Sequence, residues 1–113
     1  YFMSIPEAAE LVIQAGAIGE WPEGLYEAEM RVAAFQNGYF VALCNRVGRE
    51  DCLEFAGESF ACAPDGSVIA RAGQGTEEVL YAEVDLASAA NSHARQLFLR
   101  HRRPELYGRG LAK

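Results

Sequence analysis

No apolar run in this chain approaches the ~20 residues that a bilayer-spanning helix needs, so a membrane-spanning segment is not expected. No basic start leads into a hydrophobic stretch of the kind that opens a secretory leader. Internal repeats and low-complexity linkers are missing as well. Cysteine is scarce and odd in number: Cys44, Cys52 and Cys62 are widely spaced, with no C-x-x-C pair. Cys44 and Cys62 fall inside apolar strands, where a free thiol behaves as a small buried hydrophobe, and this usage fits a reducing, cytoplasmic setting. The two histidines, His93 and His101, have no partner at ligand spacing, so neither a metal site nor a cofactor is expected.

What is present is an ordinary globular composition. Half of the 113 residues are hydrophobic and 23% are charged, enough for one small domain, residues 1–113, and too apolar for a disordered chain. The chain opens on Tyr1 rather than Met, which fits a trimmed or partial product. The net charge of −6 hides a split. Residues 1–89 hold 15 acidic and 4 basic side chains, net −11; residues 90–113 hold 6 basic side chains and Glu105, net +5. A basic tail on an acidic body suits docking on an acidic protein surface, its own or a partner's, better than nucleic acid.

Strand and helix signals alternate along the chain. Glu10–Ala15 reads as a short buried strand and Glu20–Gly24 as a loop broken by Pro22 and Gly24. Leu25–Asn37 reads as a helix whose apolar face carries Leu25, Met30, Ala33, Ala34 and Phe35, stopped by Gly38. Tyr39–Cys44 is a continuous apolar strand, and Arg46–Cys52 is a charged loop. Glu58–Ala63 and Ser67–Ala72 make a hairpin around Pro64-Asp65-Gly66. Glu77–Asp85 alternates as a fifth strand, Asp85 or Ser88 caps a final helix to about Arg100, and Pro104 ends it. Two helices cannot cover both faces of five strands, so a second sheet or another chain is needed to complete the fold.

Several of these segments, VALCNRVG, LEFAGESF, PDGSVIARA, EVLYAEVDL and FLRHRRPELY within Phe40–Tyr107, together resemble the carbon-nitrogen hydrolases of the nitrilase superfamily. The likeness is greatest to the N-carbamoylputrescine amidase and β-ureidopropionase type. Ala8–Pro22 is similar to the family strand that follows the nucleophile's helix, including Ala17-Ile18-Gly19 on the pocket floor. Ile5-Pro6-Glu7 resembles the Phe-Pro-Glu that follows the nucleophilic cysteine. On that alignment a helix is missing, so either it is deleted or the match is chance. Glu10 and Ala33 depart from the family, which has a basic residue at the first position and usually His at the second.

The resemblance implies an α/β fold, the C-terminal half of an α-β-β-α sandwich with about five strands and two helices. It implies a parent enzyme in which Glu, Lys and Cys hydrolyse a linear amide or N-carbamoyl compound through a thioester. That triad cannot be assembled here, because the sole lysine is Lys113 and Cys52 lies in an acidic loop that disfavours a thiolate. A chain inactive alone is therefore expected, paired with itself or with the missing N-terminal half; the alternative is a non-catalytic, self-associating remnant. Asn45, Glu54, Phe55, Ala17, Ile18 and Trp21 are the candidate pocket residues. Asn45 is either a ligand group at a strand end or the bond that closes its own turn. Solvation is the simpler reading for Glu54, and packing for Trp21. Arg102, Arg103, Leu106 and Tyr107 are the candidate oligomer tail, with the last two as its apolar anchor.

Overall fold

The computed structural model describes residues 10–16 and 24–107, and the architecture follows from one βαβ unit extended by a hairpin. Strand β1 (Leu11–Gly16) leads through helix α1 (Leu25–Asn37) to β2 (Phe40–Asn45), and the two strands pair in parallel from Leu11 opposite Phe40 to Gly16 opposite Asn45. Parallel neighbours need such a crossover because a tight turn cannot reverse the chain twice. Two short strands follow, β3 (Val47–Glu50) and β4 (Leu53–Ala56), then β5 (Phe60–Cys62) and β6 (Val68–Arg71). β5 pairs antiparallel with both β2 and β6, giving a four-stranded mixed sheet in the order β1-β2-β5-β6.

The register decides which face is the core. Val41 lies opposite Cys62 and Leu43 opposite Phe60, so these four side chains share a face. Helix α1 covers that face with Met30, Ala33 and Ala34, and Tyr39 completes the cluster. α1 stops where expected: Gly38 takes the left-handed conformation (φ 66°) and its N–H donates to the Ala34 carbonyl at 2.9 Å. Arg71 of β6 reaches back to Glu27 of α1 at 2.8 Å. Arg31 Nε donates to the Gly66 carbonyl at 2.7 Å, tying the Pro64–Gly66 turn to the same helix. The opposite face carries Leu11, Ile13, Ala42 and Cys44, and Ile13 is 65% exposed.

Several expectations are corrected. The charged loop at 46–52 is instead a hairpin: β3 and β4 pair antiparallel as a separate two-stranded sheet around Asp51-Cys52. Asp51 supplies the left-handed residue this tight return requires (φ 52°), a conformation aspartate tolerates better than most. Glu77–Asp85 joins no ladder, and the described residues hold six strands, β3 and β4 among them, where the sequence suggested about five. The second helix is not one helix. Asp85 does cap it, accepting from the Ala87 N–H at 3.2 Å, but a 3-10 turn over Leu86–Asn91 is broken at Ser92. A wide turn over Ala94–Phe98 and a 3-10 turn over Leu99–His101 follow. Cys44 is exposed, because strand alternation turns it away from Leu43 onto the uncovered face. Phe40, Val41 and Leu43 are buried, so the apolar exposure of this part of the sheet falls on Cys44 and on Leu11 and Ile13 of β1. No described helix is long and apolar enough to cross a membrane.

Candidate functional site

The carboxyl end of β2 opens into a polar concavity. Asn45 ends that strand, and its backbone N–H donates to Ser59 Oγ at 2.9 Å while its Nδ2 donates to the Gly57 carbonyl at 2.7 Å. The Ser59 hydroxyl returns to the Asn45 carbonyl at 3.5 Å. Arg46 and Gly57 close the neck of the β3–β4 hairpin through Gly57 N–H to Arg46 O at 2.9 Å. The chain then turns sharply, with both Gly57 (φ 72°) and Glu58 (φ 55°) in the left-handed region. These bonds hold one side of a cleft of about 370 Å³, bordered by Asn45, Arg46, Glu58, Ser59, Thr76 and Glu78.

Its electrostatics are acidic. Glu58, Glu77 and Glu78 border the cleft against a single cation, Arg46. Arg46 is itself engaged, paired with Glu50 and stacked 4.5 Å above the Phe55 ring. The Thr76 hydroxyl and the Gly73 N–H both donate to the Glu78 carboxylate and hold it below its ordinary range. Such a cleft suits hydrogen-bond donors and cationic groups. None of the cysteines is among the described residues that line it: Cys62 is in the core with its thiol pushed up to about 11 by burial, and Cys44 and Cys52 are exposed elsewhere. Among the described residues no group of three or more His, Cys, Asp or Glu converges as a metal site.

The candidates from sequence divide accordingly. Asn45 lines the cleft, and its side chain is committed to the Gly57 carbonyl. Phe55 is buried beneath Arg46, and Glu54 is exposed on β4 opposite Arg49. Ala17, Ile18 and Trp21 lie outside the described residues. Ser59, Glu58 and the Thr76–Glu78 wall were not anticipated. The signal for them was the Gly57-Glu58-Ser59 run, where a glycine that must take positive φ delivers a hydroxyl two residues on. In the tail, the Tyr107 hydroxyl accepts from the Arg103 N–H at 3.1 Å, Arg103 pairs with Glu105, and Arg102 Nε donates to the Leu99 carbonyl at 3.4 Å. Leu106 and Tyr107 remain exposed at 67% and 48%.

With this geometry established, comparison with known proteins is decisive for the family. A carbon-nitrogen hydrolase profile matches residues 8–94. The chain belongs to that family. The "hydrolase in pqqF 5′ region" of Pseudomonas protegens is 38% identical over 81 residues, 72% of this chain and 28% of that protein. An N-carbamoylputrescine amidase of Oryza sativa subsp. japonica is 29% identical over 116 aligned positions, covering 89% of this chain and 38% of that protein. The crystal structure of a carbon-nitrogen hydrolase from Helicobacter pylori superposes with a TM-score of 0.76 at 32% identity, over 88% of this chain and 40% of that one. The fold is therefore nitrilase-like, and this carbon-nitrogen hydrolase chain spans well under half the length of each of these relatives.

Proposed function

We propose that the chain supplies one helix-backed sheet layer of a cytoplasmic carbon-nitrogen hydrolase of amidase type, acting on linear amide or N-carbamoyl compounds. The observation that carries this reading is the family match over residues 8–94 on a sheet with one covered and one uncovered face. Such a layer contributes strand ends to a pocket and a face to a second layer. In this role Asn45 holds the Gly57–Ser59 turn in place, and the exposed β3–β4 hairpin carrying Glu54 borders the entrance. The layer turns over no amide by itself, because its sole lysine is Lys113 and its cysteines are either exposed without a basic partner or buried as a neutral thiol.

Two measurements test this. The purified chain should release no ammonia from N-carbamoyl-β-alanine or N-carbamoylputrescine above buffer; turnover abolished by Cys52→Ser would overturn the reading. Residues 10–107 grafted in place of the matching segment of the Helicobacter pylori enzyme should give a folded chimera that still hydrolyses that enzyme's own substrate. A folded but inert chimera would count equally against it.

A second reading, a non-catalytic chain that associates with itself, is favoured by the exposed Leu106 and Tyr107 beside Arg102 and Arg103. There the tail holds two copies together by an apolar anchor and by arginines facing an acidic body. Removing residues from Arg102 onward should lower the oligomeric state, and an unchanged assembly at both low and high salt would refute the role.

A further inference from the structure

Asn37-Gly38 closes helix α1 and is the only Asn-Gly pair in the sequence; Asn45 precedes Arg46, and Asn91 precedes Ser92. An asparagine followed by glycine is the pair most prone to deamidate, because no side chain on the second residue hinders its amide nitrogen. The fold does not admit another residue there. Gly38 has φ 66°, and a Cβ on it would collide with the Ser92 hydroxyl and lie 2.8 Å from Arg95 Cγ. The chemical liability is therefore fixed by the packing of the C-terminal segment on the end of α1.

The same packing holds the reaction off. Ring closure needs the Gly38 nitrogen to reach Asn37 Cγ with the Cβ–Cα–C–N torsion nearly flat, and a helical ψ of about −42° leaves it far from flat. The Gly38 N–H donates to the Ala34 carbonyl at 2.9 Å, and Asn37 Nδ2 donates to the Ala33 carbonyl at 2.9 Å. From the other side, Arg95 Nε donates to the Gly38 carbonyl at 3.2 Å, and the buried Ser92 lies against the glycine. Gly38 is thus held at its N–H by α1 and at its carbonyl by the C-terminal segment.

We infer that Asn37-Gly38 is a self-modifying site gated by the C-terminal segment, closed while Ser92 and Arg95 rest on Gly38 and irreversible once they let go.

When the segment lifts, the Gly38 nitrogen loses its proton to water and attacks Asn37 Cγ. The bond from Cγ to Nδ2 breaks and ammonia leaves. Water then opens the five-membered imide, at Cγ to give aspartate or at the main-chain carbonyl to give isoaspartate. Both products weaken the closed state. Aspartate cannot donate to the Ala33 carbonyl, and it sets a negative charge at the C-terminal end of α1, where the helix dipole disfavours it. Isoaspartate adds a methylene to the main chain just before Gly38 and breaks the bond to Ala34. Neither product returns to the amide.

The inference does not depend on the hydrolase reading. The full chain is kept at mildly alkaline pH in buffer and in guanidinium chloride, and peptide mass mapping follows the gain of one dalton at each asparagine. In denaturant Asn37 should convert faster than Asn45 and Asn91. In buffer its rate should fall at least about tenfold, because local opening limits it. Arg95→Ala should raise the rate in buffer about twofold to tenfold, the factor that one hydrogen bond carries, without moving the rate at Asn45. Converted chain should exchange its amide hydrogens over 92–100 faster than fresh chain. Equal rates at Asn37 in buffer and denaturant overturn the inference, as does an Asn37 slower than Asn91 in denaturant. An Arg95→Ala rate equal to the parent's, or exchange over 92–100 unchanged by conversion, overturns the gate. The comparison of buffer with denaturant needs no variant, so it decides the matter even where Arg95→Ala fails to fold.

Discussion

Substitution at Asn45 separates a scaffold role from a ligand role. In Asn45→Ala the Gly57 carbonyl loses its 2.7 Å donor, and Gly57 is a buried residue. A buried acceptor left unsatisfied costs about 1–3 kcal/mol, and the partial burial of this bond points to the lower half of that range. For a domain of this size each kcal/mol lowers Tm by roughly 4–8 °C, so a fall of about 4–16 °C is expected. Asn45→Asp should be worse near neutral pH, because it turns a carboxylate toward a carbonyl oxygen in place of an amide donor. Ser59→Ala removes the acceptor of the Asn45 N–H, 2.9 Å away, and should destabilise by a similar amount. Since both bonds close one turn, the double variant should cost less than the sum of the two singles. Thermal denaturation of the four chains is sufficient. If Asn45→Ala and Asn45→Asp both melt within ~0.5 kcal/mol of the parent, the turn does not need Asn45 and the scaffold assignment is wrong. In the grafted chimera, a raised KM with an unchanged melt would then return Asn45 to a substrate-binding role.

Three further outcomes follow from named contacts. Cys44 and Cys52 should react with a thiol reagent in the folded chain, whereas Cys62 should react only on unfolding, because it is buried and its thiol is pushed up to about 11; mass mapping of labelled peptides decides this. The Arg71 guanidinium holds the Glu27 carboxyl below its ordinary range, so this pair stabilises the fold above the usual glutamate pKa, and that contribution disappears as pH falls through the folded value. Glu27→Gln should therefore cost up to ~1 kcal/mol near neutral pH and progressively less as acid protonates Glu27, and a cost that does not change with acidification would exclude the pair as its source. Gly38→Ala should destabilise by more than Gly24→Ala. Both glycines have positive φ, but a Cβ at Gly24 meets open space while one at Gly38 would fall 2.4 Å from Ser92 Oγ and 2.8 Å from Arg95 Cγ. Denaturant melts that rank the two equally would remove the close approach of the C-terminal segment.

Local chemistry made part of this fold legible. α1 and its stop at Gly38, the apolar β2 and the Pro64-Asp65-Gly66 hairpin each carry their signal within a few residues, and each is present. The β3–β4 hairpin was not, because its strands are short and its outward side chains are charged, so nothing in the alternation reports a buried face. The C-terminal segment departs from a single helix for a tertiary reason. Leu86–Arg100 has helical composition, but Ser92 is pressed against Gly38 and leaves the helical region (ψ 156°) at the point where the C-terminal segment crosses the end of α1. Glu77–Asp85 shows the limit most plainly. Its pattern is that of a strand, but a ladder needs a second strand, and no local signal says where that strand comes from.

The end of β2 shows how parity sorts the site. Asn45 follows Val41 and Leu43 onto the helix-covered side, while Cys44 points to the uncovered side one residue earlier. A second layer laid over the open face would therefore cover Cys44, Leu11 and Ile13 and would leave Asn45 where it is, bonded to the Gly57–Ser59 turn. A pocket formed between two layers would meet this chain through the Cys44 side of the strand end, with Asn45 acting behind it as a positioning residue. That order of layers explains why the acidic cleft is polar and already hydrogen-bonded while the open face is apolar and uncharged. Loss of Cys44 labelling on assembly, with Cys52 still reactive at the exposed hairpin turn, would report that the open face and not the cleft has been covered.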